Sequence, residues 1–436
     1  MLSLDKGLQT NLEKGQPLLF MFYFLGVGVL AYGVDRTNFG LNYVIYFLLF
    51  CLWISLIKSN ANSNILFVAG FFARLLFLWS IPQWSDDFNR FIWDGKLLVE
   101  GINPYLFTPS QLAHNSWATE VEYKSTFYAL NSPNYYTVYP TVVMFLNWLC
   151  VFFGKSVTFS LFLMKLLFVF GDVAIYFILK NLLKIEVKKL AWYWMCPLIV
   201  IEFSGNLHHE LWLIMFVILA LYFLKQQKAI WLAMCLSLAI FTKLTPLLFV
   251  PFFFVYVIKK WVFSLFMIFF CAILVFPMLY NHGFTFFIKS VHLYFSTFEF
   301  NSSFYVLFKP LFWLEELLTL VYKGIVMMFM AFFFWFWKKK RMPLIIGLIG
   351  IQWIYLLSAQ SIHPWYILPL LPFYIFLEFP MYYLVWLLLI PLSYITYASI
   401  PYQQQIWVNG LEYLSVGILF WYEHYKQKKS ILHGKV

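Results

Sequence analysis

The 436-residue sequence is poor in charge. Only 11% of its residues are Asp, Glu, Lys or Arg, against roughly 25% in soluble domains, which excludes an ordinary water-soluble globule and a highly charged disordered chain. Cysteine is scarce. Cys51, Cys150, Cys196, Cys235 and Cys271 each lie inside an apolar run without close spacing, so the pattern offers neither a disulfide-stapled module nor a thiolate metal or redox motif. No Gly/Ser linker and no repeat of roughly 20–50 residues is visible, which leaves one domain over residues 1–436. Acids are scarcer than bases, 19 against 30, for a formal charge of +11. The cations sit between apolar runs, as in Lys338–Arg341 and Lys426, Lys428 and Lys429, where cytoplasmic loops carry them. No basic stripe alternates with aromatics, so nucleic acid is excluded as a partner.

What the chain has is hydrocarbon. Apolar residues make up 63% of it, with 53 Phe, 29 Tyr and 19 Trp, and the mean hydropathy is +0.78. Apolar runs of about 17–25 residues describe a polytopic membrane protein whose backbone polar groups are satisfied within helices. The first sixteen residues are polar, and the run after Pro17 lacks a small-residue cleavage site, so it reads as a retained span.

Runs at about 17–34, 41–57 and 64–81 precede a hydrophilic loop over 82–137. In that loop acids outnumber bases, so the positive-inside rule gives no reason to hold it in the cytoplasm; with the N-terminus inside, three spans place it outside. Later runs lie at about 138–153, 159–183, 190–204, 210–224, 229–242, 245–258, 261–280, 312–337, 342–359, 364–378, 381–397 and 409–424. If 138–153 crosses, the turn with Lys184, Lys188 and Lys189 lands outside. If it re-enters or lies in the interface, that turn and the other basic loops all fall inside. The second reading predicts an all-α membrane protein of about 14 transmembrane helices with both termini inside. It gathers the 82–137 loop and the turns at 203–210, 242–246, 281–303, 360–364 and 398–408 on the outer face.

The segment Ser85–Tyr105 opens with Asp86 and Asp87. Apolar Phe88, Phe91, Ile92, Leu98 and Val99 recur at helical spacing while Asp87, Arg90 and Asp94 occupy neighbouring turns, which predicts an amphipathic helix lying on the membrane surface. The two acids either cap that helix or face a cavity, where a carboxylate accepts a proton from a hydroxyl or holds a cation, an adjacent acid helping to keep one pKa near the working range.

These residues resemble a known family. The acidic pair, then R-F-x-W-D-G (Arg90, Phe91, Trp93, Asp94, Gly95) and G-x-N-P-Y (Gly101, Asn103, Pro104, Tyr105), resemble bacterial members of the GT-C superfamily of integral-membrane glycosyltransferases, specifically the polyprenyl-phosphate-mannose-dependent mannosyltransferases. Further elements follow in register. Tyr139-Pro140-Thr141 resembles Y-P-P with Thr for the second proline, and Asn206-Leu207-His208-His209-Glu210 resembles N-G-H-x-D with Leu for Gly and Glu for Asp. Lys243-Leu244-Thr245-Pro246 resembles K-x-x-P, Glu299-Phe300-Asn301-Ser302 an F-N-S element, and His363-Pro364-Trp365-Tyr366 H-P-W-Y.

The resemblance implies a sugar, mannose, moved with inversion from a polyprenyl-phosphate donor to a hydroxyl of a lipid, glycan or protein acceptor. It implies the cell inner membrane, with the site on the periplasmic side. Counting back from G-x-x-P-Y gives Asp87 as general base, with Asp86 orienting the acceptor or sharing a cation. Independently of the family, a lipid phosphodiester at the interface calls for cations, and Arg90, Lys243 and His363 qualify; snorkelling offers Lys243 an alternative. Trp93, Asp94, Asn103, Tyr139, His208, Glu210, Asn301, Trp365 and Tyr366 are the expected substrate contacts, with Trp84, Trp93, Trp365 and Tyr366 placed to stack on a sugar. No metal ligand set is assigned. His208 and His209 beside Glu210 leave a divalent cation as the one candidate cofactor, although adjacent histidines diverge on a helix. Lys165 and Asp172, costly inside an apolar run, share a face and are expected to form a structural ion pair bridged by a third group. A lipid or polyol transporter or flippase is the rival class, and it would show symmetry between halves. A scaffold that kept the fold without catalysis is a third.

Overall fold

The computed structural model describes residues 12–296, 298–308, 315–399 and 402–432. Helix makes up 76% of it, and among the described residues the sole β pairing is an isolated parallel bridge between Phe300 and Ser361. The principal helices are α1 Gln16–Tyr32, α2 Phe39–Lys58, α3 Ser63–Leu75, α4 Asp87–Val99, α5 Thr141–Gly154, α6 Val157–Phe177, α7 Val187–Trp194, α8 Glu210–Lys225, α9 Ala229–Ile240, α10 Lys260–Leu279, α11 Glu315–Lys339, α12 Leu344–Ser358, α13 Met381–Leu389 and α14 Ile406–Leu432. Some of them start at side chains that accept the first unpaired helical N–H groups. Asn38 accepts the Leu41 N–H before α2, and Ser156 accepts the Phe159 N–H before α6.

Among the described residues five helices are long and apolar enough to cross a membrane: Phe39–Lys58, Val157–Leu182, Lys260–Leu293, Leu320–Lys339 and Met381–Ala398. A sixth is obtained if Pro197–Gly205 and α8, bent by 113°, count as one span. Apolar runs outnumber long helices because polar turns and prolines cut several runs into shorter helices, among them Ala229–Ile240, Thr245–Tyr256 and Pro364–Ile375. The spans starting at Lys260 and Leu320 are only 11% buried, so they present apolar faces outward, whereas α6, α8 and α9 pack side by side in the interior.

The interior holds charge, in a different pairing from the expected one. Asp172 accepts the Arg74 Nε–H at 2.6 Å and the Tyr193 hydroxyl at 2.6 Å. The guanidinium also donates to the Gly70 and Trp194 carbonyls and lies 3.7 Å above the Trp194 ring. Lys165 does not join them. Its ammonium donates to Ser80 Oγ at 3.0 Å and to the Ser204 and Gly205 carbonyls at 3.3 and 2.9 Å. The shared face is real, but each charge finds its partner on a different helix, a choice that spacing within one helix leaves open.

The 206–210 turn is built by broken helix geometry. After Pro197 the chain widens, so that the Asn206 N–H bonds the Ile201 carbonyl at 2.9 Å and the His208 N–H bonds the Glu202 carbonyl at 3.0 Å. Leu207 adopts φ +64°, a left-handed conformation unusual for a bulky residue, and α8 departs at the 113° bend. Lys165 binds the carbonyls just before this turn and, through Ser80, the segment leading to Asp86 and Asp87.

Candidate active site

The expected amphipathic helix forms as α4, yet it does not lie on a surface with its polar stripe in water. Arg90 and Asp94 are 4% and 0% exposed, and α4 packs on α5 so closely that a Cβ at Gly95 would sit 2.7 Å from Val151. Arg90 donates to Asp94 at 2.8 Å and to the Tyr135 and Ser132 carbonyls at 2.9 and 3.3 Å. It therefore pins the end of the large loop over α4. Trp93 is enclosed by Trp117 and Phe127, and Asn103 bridges the Tyr105 N–H and the Pro277 carbonyl. These side chains support the loop.

Asp86 precedes α4 without bonding its N-terminal amides; its carboxylate pairs with Arg36 at 2.5 Å. The Asp87 N–H is met by Ser85 Oγ at 3.3 Å, so capping does not occupy the two carboxylates. Asp87 is half-buried, accepts the Asn131 amide at 3.5 Å and hydrogen-bonds the Tyr139 hydroxyl. Burial raises its pKa above the ordinary carboxylate value; the His208 charge and the Asn131 and Tyr139 bonds oppose the rise, and Asp86 adds to it.

Facing Asp87 are residues from three other segments. Lys243 Nζ forms an ion pair with Glu210 and lies 3.4 Å from the Tyr366 ring centroid. Its pKa is lowered by burial, against the raising influence of Glu210 and Asp87. Trp365 is stacked between His208, at 3.5 Å and 13°, and His363, at 4.4 Å and 7°, and His363 stacks in turn on Phe300 at 4.3 Å. The Phe300–Ser361 bridge holds this column in register. Asn301 turns the opposite way, donating to Glu412 of α14 at 3.1 Å, and so fixes the backbone beneath Phe300.

The two histidines of the 206–210 turn diverge. His208 points its Nδ1 at Glu202, 2.8 Å away. His209 is enclosed by the Phe91 and Phe168 rings, and burial, with the charges of His208 and Lys243, pushes its pKa down to about 3. Burial likewise holds His363 well below the ordinary imidazole range, so both rings are neutral at physiological pH. Among the described residues no three His, Cys, Asp or Glu side chains gather as a metal site. The structure thus joins Asp87, Tyr139, His208, Glu210, Lys243, His363, Trp365 and Tyr366, while Arg90, Trp93, Asp94, Asn103 and Asn301 face away.

Sequence reasoning missed Glu202, Tyr394 and Arg36. Glu202 carried a usable signal, since an acid within an apolar run is costly unless partnered. It is fully buried and accepts from Tyr394, Asn206 and His208. Tyr394 and Arg36 carried none.

Beside the site, Leu98–Tyr105, α5 and the kinked end of α10 enclose an open cavity of about 710 Å³, almost wholly apolar, lined by Ile102, Met144, Trp148, Phe276 and Leu279 among others. Tyr105, which lines it, donates its hydroxyl to the Tyr139 carbonyl at 2.9 Å.

No curated protein and no solved structure matches the chain. Residues 26–259, more than half of it, match the MptA_B family, described as alpha-(1->6)-mannopyranosyltransferase, N-terminal domain. The match takes in Asp86, Asp87, Tyr139, Glu202, His208, Glu210 and Lys243 and stops short of the 299–303 and 363–366 elements. An all-helical chain with membrane-length apolar helices, carrying this domain, is a membrane glycosyltransferase: it belongs to the alpha-(1->6)-mannopyranosyltransferase (MptA_B) family.

Proposed function

We propose that the protein is a GT-C enzyme that transfers mannose, with inversion, from a polyprenyl-phosphate donor to an acceptor hydroxyl on the outer face of the membrane, in a bacterium the periplasmic face of the inner membrane. The observation that carries this reading is the meeting of Asp87 with the Lys243–Glu210 pair and the His208–Trp365–His363 column, four segments distant in sequence. Asp87 takes the acceptor proton as the hydroxyl attacks the anomeric carbon. Its raised pKa makes it a stronger base than an ordinary carboxylate. Polyprenyl phosphate leaves in the same displacement, and inversion follows from that single step.

Lys243 is the cation placed to bind the donor phosphate. Its side chain is 27% exposed and retains donors beyond the one given to Glu210. Arg90 serves it indirectly by holding the loop, and Asp86 with Arg36 borders the acceptor side. The Trp365 and Tyr366 rings form the wall against which the sugar packs. An apolar cavity of about 710 Å³ suits a hydrocarbon chain reaching the site from the bilayer, which supports a lipid-borne substrate. The shorter apolar helices supply the further crossings that bring the count toward 14.

The test offers the purified protein in nanodiscs radiolabelled polyprenyl-phosphate-mannose, polyprenyl-phosphate-glucose and GDP-mannose, with a membrane-lipid extract as acceptor. Label moving into product from the first donor alone is expected. Transfer from GDP-mannose alone refutes the lipid donor, and transfer from the glucose donor alone refutes the sugar.

A further inference from the structure

Glu202 and His208 form a buried carboxylate–imidazole pair with no structural duty that accounts for its free end. The Glu202 carboxylate receives the Tyr394 hydroxyl at 2.8 Å on one oxygen and the Asn206 amide at 3.1 Å on the other. Both groups donate, so Glu202 acts as an anionic acceptor, and the contact at 2.8 Å places a proton on His208 Nδ1. The ring is clamped flat against Trp365 at 3.5 Å. His208 Nε2 is buried and has no partner within the protein. An orphaned buried imidazole nitrogen costs stability unless a ligand meets it.

Three histidines border the site, and His208 alone has a carboxylate bound to its ring. His209 and His363 are surrounded by rings and stay neutral, whereas an imidazolium at His208 is neutralised by Glu202. The titratable groups that sense its charge are Asp87 on α4, His209 on its own turn and His363 across Trp365; Tyr394 reaches it through Glu202. Glycosyl transfer from a phosphodiester leaves a phosphate monoester, whose negative charge grows as the C–O bond breaks, and a donor proton aimed at that oxygen lowers the barrier.

We infer that His208 is a general acid for the departing phosphate and that Glu202 is the positioning residue that orients it and faces its ring with a negative charge. The inference rests on the transfer reading above. The step balances as follows. The bond from the anomeric carbon to the phosphate oxygen breaks and one to the acceptor oxygen forms. The acceptor proton passes to Asp87, and the Nε2 proton of His208 passes to the leaving phosphate. The proton on Asp87 then returns to His208, leaving the enzyme unchanged and polyprenyl phosphate singly protonated. Base and acid thus face the reacting carbon from two different segments.

The test uses the full chain in nanodiscs with polyprenyl-phosphate-mannose. Glu202→Gln keeps an acceptor oxygen toward Asn206 and His208 Nδ1 and turns its amide N–H to the Tyr394 hydroxyl, so it leaves the ring oriented while removing the negative charge that balances the imidazolium. The expected result is a kcat lower by about 10²–10³-fold, a donor KM within threefold, and an alkaline limb of the kcat profile displaced to lower pH. His208→Gln should lose a similar factor together with that limb, and ¹⁵N imidazole spectra should show the imidazolium giving way to the neutral ring at lower pH in Glu202→Gln than in the wild type. A Glu202→Gln enzyme with kcat within threefold and an unmoved limb overturns the inference, as does a loss confined to KM. If Glu202→Gln is unstable, His208→Gln decides by the same limb. A wild-type protein that transfers from no donor overturns the transfer reading itself, an outcome distinct from a working enzyme indifferent to these variants.

Discussion

Lys165→Met removes the ammonium that ties together the two chain segments on which the site depends. In the wild type it donates to Ser80 Oγ, which lies just before the Asp86–Asp87 pair, and to the Ser204 and Gly205 carbonyls, which enter the 206–210 turn. Met fills much the same volume, so the change is chiefly one of hydrogen bonding. Ser80 keeps a partner, since its hydroxyl donates to the Phe77 carbonyl at 3.0 Å. The two carbonyls lose theirs in a fully buried place, at about 1–3 kcal/mol each. Relief from desolvating a cation offsets part of this, so the net loss is about 2–4 kcal/mol, read from SDS-titrated unfolding in mixed micelles. The slack also separates Asp87 from His208. A misplacement of about 1 Å costs on the order of 10²-fold in rate, so kcat should fall at least tenfold in protein that is still folded. Lys165→Arg, which keeps a cation, should recover part of both losses. A Lys165→Met protein with unchanged unfolding and unchanged kcat would refute the idea that this ammonium holds the site together.

The buried Arg74–Asp172 pair gives a second expectation. Asp172→Asn or Arg74→Met alone should cost about 3–5 kcal/mol, whereas Arg74→Met with Asp172→Leu should cost clearly less than the sum; additive losses in the same unfolding assay contradict the pairing. Asp87 gives a pH prediction with a defined sign. Its folded pKa lies above the unfolded value of 3.8, so its ionisation opposes folding: Asp87→Asn should match wild-type stability below pH 3.8 and exceed it increasingly as pH rises through the folded pKa. Wild-type kcat/KM should rise with pH over that same titration. Arg90→Lys should speed hydrogen exchange at 130–136 by about tenfold or more, because the guanidinium fork holds two carbonyls there; a change in donor KM with unchanged exchange contradicts the pinning role. Gly70→Ala should destabilise by about 1–3 kcal/mol in thermal melts, since its Cβ would fall 2.2 Å from the Trp194 indole nitrogen, which is held by the Phe67 carbonyl.

Much of this architecture is written in local pattern. The acids at 86 and 87, the helix that follows them and the elements at 139, 206–210, 243 and 363–366 could be read because each is a short run with its own chemistry. What could not be read is who meets whom. Arg74 and Asp172 are separated by 98 positions and Tyr394 and Glu202 by 192, and spacing along one helix says nothing of the neighbour that supplies the counter-charge. Lys165 and Asp172 share a face yet serve different partners for that reason. The polar stripe of α4 suggested water, and the close approach allowed by Gly95 placed it against α5 instead. Counting apolar runs overstated the number of long helices because several runs, those at 229–242, 245–258 and 364–378 among them, fold as helices of 10–17 residues ended by polar turns and prolines. Glu202 could have been found by the rule that singled out Asp172.

The central claim is that Asp87 is the base of a mannosyl transfer, and Asp87→Asn tests it most directly. The substitution keeps shape and hydrogen bonding while removing the proton acceptor. With polyprenyl-phosphate-mannose and a lipid-extract acceptor, transfer by Asp87→Asn should fall by about 10³-fold or more, with donor binding and membrane insertion unchanged. A variant that retains more than a tenth of wild-type transfer would show that the acceptor proton goes elsewhere and that the base has been misassigned.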